Sequence, residues 1–390
     1  MPIPAPRSLS ENAGNGACFM AIELSKSNWL VGVLTPLSPK ISLRSIPCGA
    51  VDRLMEIIAQ TIEKVRRVTG RTAQIVSCYE AGYDGFWLHR FLTARGVVNH
   101  VIESASLMVN RKARRAKTDR LDAEKLVRVL VTYCRGEPKV CSVVQPPSAE
   151  DEDVKRLHRE RQFLMKERVQ HIGRIKGLLA TQGIYDFRPY GRNWSSRLAE
   201  LKTGDGRPLP PRLKVEIARQ CQRLALVDTM LKDVDQERDA VVEAKSARSK
   251  TIERIQCLAR LRAIGPQIAT VLGTEVFYRD FSNRRCVASY LGLTPSPFQS
   301  GDMARTLGIT KAGNPRARTA MIELAWLWLR YQPQSELARW FEQRTNGLKG
   351  RIRRVAIVAV ARKLAIALWV FTDGPHPRRR RVQGVTRDPG

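Results

Sequence analysis

An α/β N-terminal domain followed by an all-α remainder is the architecture this sequence predicts. Three observations carry that reading. Up to about residue 145, short β-rich runs alternate with helix-spaced segments. From residue 150 onward the apolar positions recur at helical spacing. The chain has 390 residues, 43% of them apolar, enough for two or three domains with real cores.

The elements follow in order. Residues 17–35 alternate through Cys18-Phe-Met-Ala-Ile-Glu-Leu and Trp29-Leu-Val-Gly-Val-Leu around the polar turn Ser25–Asn28, which predicts a hairpin. Ile41 to Ile46 adds a third strand. Leu54, Ile57, Ile58, Ile62 and Val65 predict a helix over 51–68. Gln74 to Tyr79 is a short strand ending at Glu80. Phe86 to Ala94 reads as a helix stopped at Gly96, and Val97 to Ile102 as a further strand. A basic stretch, Arg111 to Lys117, precedes a helix from about Thr118 to Val131. The order β-β-β-α-β-α-β-α suits a ribonuclease-H-like fold, an antiparallel meander continued by parallel strands with helices on the faces.

Gln145 to Ala149 reads as a linker. Residues 150–180 and 212–245 carry apolar positions at helical spacing within a highly charged sequence, interrupted by a Gly- and Pro-rich segment, 183–211. Two such helices predict an antiparallel helical arm or, equally well, part of an ordinary helical bundle. Short helices punctuated by glycine follow, and Leu261-Arg-Ala-Ile-Gly-Pro-Gln-Ile-Ala is similar to a helix-hairpin-helix turn, whose backbone N–H groups hold phosphate. The expected boundaries are a flexible tail at 1–15, the α/β domain at 16–145, the arm at 146–250, a helical domain at 251–373 and a flexible basic tail at 374–390. Val355 to Phe371 is apolar but broken by Arg362 and Lys363, so it reads as a buried helix pair and not a membrane span.

Charge narrows the function. Lys and Arg number 67 against 37 Asp and Glu, a formal net charge of +30. An excess of this size repels itself in a compact chain and calls for a polyanion, so nucleic acid is the expected partner. Aromatics are only 6%, which argues against reading single strands mainly by base stacking. The polar start, Met1 to Gly16, is no secretory signal. The eight cysteines form no CxxC pair and have no nearby His, which points to reduced thiols in the cytoplasm and away from a zinc site.

Four carboxylates stand out. Glu23 and Glu80 each end a predicted strand, and Asp119 and Asp122 lie three apart, hence on one face of a helix. Singly, each reads as a strand-end acid or a first-turn helix charge. Together, in a basic chain, they read as a site for a hard cation, Mg2+ or Mn2+, which clamps a phosphodiester. The run Arg111, Lys112, Arg114, Arg115 and Lys117 beside them is a candidate phosphate contact. A second basic, Gly-rich segment contains Tyr290-Leu-Gly-Leu-Thr-Pro, Gln299-Ser-Gly and Gly308-Ile-Thr-Lys-Ala-Gly-Asn-Pro-Arg-Ala-Arg. Its small residues let backbone approach a phosphate, with Arg305, Lys311, Asn314, Arg316 and Arg318 as candidate nucleic-acid contacts. From composition alone Ser300 is a loop hydroxyl, a poor nucleophile unless a base or metal activates it.

These motifs in this order resemble the transposases, or bridge-RNA-guided serine recombinases, of the insertion sequence 110 and 1111 group of bacterial mobile elements. The resemblance runs from about residue 17 to 373. It rests on Ala116-Lys-Thr-Asp-Arg-Leu-Asp-Ala, Ile264-Gly-Pro, Tyr290-Leu-Gly-Leu-Thr-Pro, Gln299-Ser-Gly and Ile309-Thr-Lys-Ala-Gly-Asn. It implies a RuvC-like first domain, a coiled-coil arm and a C-terminal serine transposase domain. It further implies that Glu23, Glu80, Asp119 and Asp122 hold Mg2+, and that Ser300 attacks a DNA phosphate to form a phosphoserine link. Its partners would be donor and target double-stranded DNA, an element-encoded noncoding RNA and further copies of the chain, with no membrane. The family carries Asp at the first acidic position; Glu23 moves that carboxylate out by one methylene, roughly 1.5 Å. Two other readings stay open: a metal-only RuvC-like nuclease or junction resolvase in which water attacks, and a catalytically inactive nucleic-acid-binding relative.

Overall fold

The computed structural model describes residues 16–107, 118–191, 193–244, 249–300 and 303–373, with the backbone alone at 105, 298–300 and 303–307. Two compact units divide between Pro147 and Ser148.

The first unit runs β1 (Cys18–Glu23), β2 (Asn28–Thr35), β3 (Ser38–Pro47), α1 (Val51–Thr69), β4 (Ile75–Glu80), α2 (Trp87–Thr93), β5 (Val98–Ile102), α3 (Asp119–Cys134) and β6 (Val143–Val144). The sheet order is β3-β2-β1-β4-β5-β6. β1 to β3 form an antiparallel meander, β4 and β5 continue it in parallel with β1, and β6 pairs antiparallel to β5. This is the predicted element order with one addition. β6 has two residues, too short for its sequence to show a period.

Successive side chains of a strand point to opposite faces, and here both faces are buried. Met20, Ile22, Ile75 and Tyr79 pack with Leu54, Ile57 and Ile58 of α1 and Leu88 and Leu92 of α2. Phe19, Ala21, Val76 and Cys78 pack with Leu126, Val127, Leu130 and Val131 of α3. The continuous burial of β1 and β4 explains their nearly unbroken apolar sequence. α1 ends where Gly70 adopts left-handed φ 69° and returns its N–H to the Arg66 carbonyl.

The second unit contains α4 (Ala149–Ala180), α5 (Trp194–Glu200), α6 (Pro211–Glu243), α7 (Lys250–Ala259), α8 (Pro266–Glu275), α9 (Arg284–Tyr290), β7 (Pro295–Ser300), β8 (Met303–Ile309), α10 (Pro315–Tyr331), α11 (Glu336–Thr345) and α12 (Arg351–Thr372). α4 and α6 are antiparallel partners. Arg161 pairs with Asp235 at 2.7 Å, Arg168 with Asp228 at 2.6 Å and Arg174 with Glu216 at 2.6 Å, so the partner moves back as the arginine moves forward. The first two pairs are one heptad apart on both helices. Leu164, Val227, Leu231 and Val234 fill the seam between them. The Gly- and Pro-rich connection folds back onto this pair, burying Ile184, Phe187 and Leu198 against Ile175, Leu179, Ile217 and Cys221.

α7 to α12 enclose the largest core, which includes Leu258, Leu272, Met321, Leu324, Trp328, Phe341, Val360, Leu364 and Leu368. α12 corrects the expected helix pair: it runs unbroken through Arg362 and Lys363. Lys363 is exposed, its ammonium 4.7 Å from the Trp340 ring, so it interrupts neither the helix nor the buried stripe. By length and composition α12 matches a membrane span. Its Ile357, Val360, Leu364 and Leu368 instead lie in the core.

Candidate active site

Strand register assembles the first half of the acidic set. β1 and β4 are parallel neighbours whose last registered pair is Ile22 with Tyr79. Glu23 and Glu80 are the next residue on each strand, at adjacent carboxyl ends. The two-residue period puts Glu23 on the face of Phe19 and Ala21, and Glu80 on the face of Val76 and Cys78. That face is the one α3 covers. Glu23 and Glu80 are both half-buried.

α3 supplies the other two acids. Its buried stripe is Ala123, Leu126, Val127 and Leu130. One turn back from Ala123 is Asp119, and one turn back from Leu126 is Asp122. The stripe that packs on the sheet therefore continues into acids. The Cys78 thiol reaches the Leu126 carbonyl at 3.8 Å, which ties the strand of Glu80 to the helix of Asp122. Thr118 starts the helix by accepting from the Leu121 N–H, and both acids occupy the first turn, where the helix dipole favours negative charge. Asp119 is exposed and Asp122 half-buried. Burial, then the negative fields of Cys141, Cys134 and Glu23, holds the Cys78 thiol well above its ordinary range. It is a buried neutral group there.

Oxygen donors of this kind suit a hard divalent cation. Among the described residues, no group of three or more His, Cys, Asp or Glu stands close enough to hold a metal ion. Register brings together two of the four acids, and the same face of the sheet carries the helix bearing the other two. Arg111, Lys112, Arg114, Arg115 and Lys117 lie outside the described residues.

In the second unit, Ser300 ends β7 and pairs with Met303 at the start of β8. The sequence expectation of a loop is corrected: the serine stands on a hairpin. Pro295 and Pro297 hide the strand, since proline is a poor strand signal, and the register shifts between them. Of Arg305 only the backbone, in β8, is described.

The glycine motifs flanking the hairpin lock onto each other. The Asn314 N–H donates to the Tyr290 carbonyl at 2.8 Å, and the Lys311 N–H to that of Gly292 at 3.3 Å. A Cβ on Gly292 would stand 2.1 Å from the Ala312 carbonyl oxygen, and one on Gly313 2.1 Å from that of Tyr290. These small residues therefore admit backbone against backbone. Asn314 caps α10 by accepting from the Arg316 and Ala317 N–H groups and donates to the Glu275 carboxylate at 2.9 Å. Arg318 donates to the Lys311 carbonyl at 2.9 Å, and Arg316 to Gln162 at 2.7 Å. Lys311 and Arg316 are exposed.

Sequence reading missed Glu275. It is 2% exposed, yet it meets Lys155 at 3.8 Å, His158 at 3.2 Å and Arg159 at 3.0 Å, all from α4. Burial alone would raise its carboxyl, but the close approach of His158, the hydrogen bonds from Arg159 and the nearby cations outweigh that and hold it far below the usual range. The available signal was a lone acid in the apolar run Ile268 to Phe277, matched by Lys155, His158 and Arg159 on one helix face.

Residues 255–338 match the transposase family IS116/IS110/IS902, and residues 44–183 match a DEDD-type transposase domain of the IS110 group. The latter match points to divalent-metal use in general terms. A Sinorhizobium fredii protein named as a transposase, y4rJ, is 45% identical over 365 residues, covering 92% of each chain. The transposase of insertion sequence element IS1111A from Coxiella burnetii is 25% identical over 334 residues, covering 83% of this chain and 85% of its own. That of element IS1328 from Yersinia enterocolitica is 27% identical over 261 residues, covering 66% and 72%. With a mixed α/β first unit, a mostly helical second unit and this likeness over nearly its whole length, the chain belongs to the IS110 family of insertion-sequence transposases.

Proposed function

We propose that this transposase cuts and rejoins DNA through Ser300, with Glu23, Glu80, Asp119 and Asp122 holding a divalent cation, Mg2+ or Mn2+, in a ribonuclease-H-like, RuvC-like first unit. The observation that carries the reading is the parallel β1–β4 register, which sets Glu23 and Glu80 side by side on the face covered by α3. The cation, when bound, would supply charge neutralisation at the phosphate. The Ser300 hydroxyl attacks phosphorus: an Oγ–P bond forms, the bond from phosphorus to one DNA oxygen breaks, the serine proton leaves and the departing oxygen gains one. A second DNA end reverses the step, so the phosphodiester energy is conserved. Donor and target duplexes are the substrates. An element-encoded noncoding RNA that chooses sequence by pairing would fit a protein with abundant cations and few aromatics. The acids and the serine lie in separate units, which is compatible with a site completed by a second copy of the chain.

Ser300→Ala tests the nucleophile. The variant is expected to bind DNA as before and to form no covalent protein–DNA adduct on a denaturing gel. Adducts that persist would overturn the assignment. Cleavage that survives Ser300→Ala but is lost in Asp119→Ala would favour the metal-only nuclease.

A further inference from the structure

We infer that Lys26 and Tyr83 form a subsite for an unpaired nucleotide beside the acidic pair. The inference rests on the reading that Glu23 and Glu80 face a phosphate. Lys26 lies three residues beyond Glu23, and Tyr83 three residues beyond Glu80. They occupy the turns that leave the carboxyl ends of β1 and β4, neighbouring parallel strands at the centre of the sheet. The Lys26 ammonium lies 5.4 Å from the centre of the Tyr83 ring, so the two turns present one composite surface.

Folding gives no account of this pair. Tyr83 is 86% exposed, although a tyrosine gains most by burying its ring. Lys26 is exposed as well. The turns that hold them are nevertheless fixed. Ser25 Oγ donates to the Asn28 carbonyl at 2.5 Å and accepts from the Asn28 N–H at 3.2 Å, which closes the turn around Lys26. The buried Tyr79 hydroxyl donates to the Gly85 carbonyl at 3.0 Å. Ser104 Oγ donates to the Ala81 carbonyl at 2.7 Å. The loop is thus pinned on both sides of Tyr83, and its aromatic ring is held out to solvent.

An outward aromatic ring coupled to an ammonium matches one nucleotide in two ways. The ring stacks on the face of a base, and the cation neutralises the adjoining phosphate. In a closed duplex the base faces are covered by their neighbours. Tyr83 can therefore stack only on a base that is unpaired or unstacked. The position beside Glu23 and Glu80 places that base next to the phosphate being handled.

The test uses the full chain and two fluorescent DNAs of one sequence, a paired duplex and the same duplex with a short central stretch of mismatches. Wild-type protein is expected to prefer the mismatched DNA. Tyr83→Ala should lose about tenfold on that DNA alone, the scale of one base–aromatic stack. Tyr83→Phe should keep the preference, because it keeps the ring. Lys26→Ala should weaken both DNAs and lower the salt slope by about one. The subsite is overturned if Tyr83→Ala retains the preference, or if Tyr83→Phe loses it too. Glu80→Gln separates the two readings: cleavage surviving it would defeat the metal-site reading, whereas the binding preference tests Tyr83 by itself.

Discussion

Glu275 shows what a single residue can commit a fold to. Its carboxylate is almost wholly out of water, and Lys155, His158, Arg159 and Asn314 replace that water. Removing one partner of a buried charge set leaves the others uncompensated. Glu275→Ala is expected to destabilise the chain by about 3–5 kcal/mol in a denaturant titration. The same cluster gives a pH signature. Burial holds the His158 imidazole below its ordinary value, against the opposing pull of Glu275, and Glu275 itself is held below the carboxylate range. Both shifts mean that the unfolded chain takes up protons first on acidification. Stability is then present above the unfolded-state values and lost as pH falls: from about 6.5 for His158 and from about 4.3 for Glu275. His158→Gln should flatten the decline of Tm between about pH 6.5 and 5 and leave the lower limb in place. A decline of unchanged slope would assign it to other groups. Beyond a lone acid in an apolar run, this cluster was not legible in the sequence, because Lys155, His158 and Arg159 come from more than a hundred positions away on α4 and Asn314 from the start of α10. By contrast, Glu23 and Glu80 were legible, since each closes an apolar run.

At the scale of elements, periodicity decided what could be read. The α/β order, the arm helices and the place of Asp119 and Asp122 all follow from periods of 2 and 3.6. The β7–β8 hairpin did not, because its prolines and glycines carry a turn signal while the strands are set by pairing. The hairpin is anchored by the interlock of Gly292 with residues 311–312 and of Gly313 with Tyr290. Gly308 and Gly313 have nearly the same left-handed backbone, φ 97° and 96°, and differ in surroundings. A Cβ at Gly308 meets nothing within 4 Å, whereas one at Gly313 would strike the Tyr290 carbonyl oxygen at 2.1 Å. Gly308→Ala should therefore cost about 1–2 kcal/mol, the left-handed penalty alone. Gly313→Ala should cost distinctly more and should also lower adduct formation by displacing the hairpin. Equal losses in the two variants would remove the interlock from the account of how Ser300 is held.

For the whole molecule, the decisive quantity is the net charge of +30, the feature most directly legible in the sequence. Part of the cationic set is neutralised internally: Arg161, Arg168, Arg174 and Arg254 each face a carboxylate within 3.2 Å. Other stretches have no such balance. No Asp or Glu occurs from Gln343 to Thr372, and Lys349, Arg351, Arg353 and Arg354 of that stretch are all exposed. Uncompensated charge destabilises the compact chain by self-repulsion, and salt screens that repulsion. Tm of the free protein should therefore rise as salt goes from about 20 to 200 mM, a range over which the screening length shrinks severalfold. Bound DNA stabilises by mass action, and the counterions it releases make that gain salt-sensitive. The increment in Tm on adding a short duplex should thus shrink over the same salt range. The two curves must run in opposite directions if the excess charge is there to carry nucleic acid. A free-protein Tm that instead falls with salt would mean that internal ion pairs, such as those along the α4–α6 arm, outweigh the net repulsion.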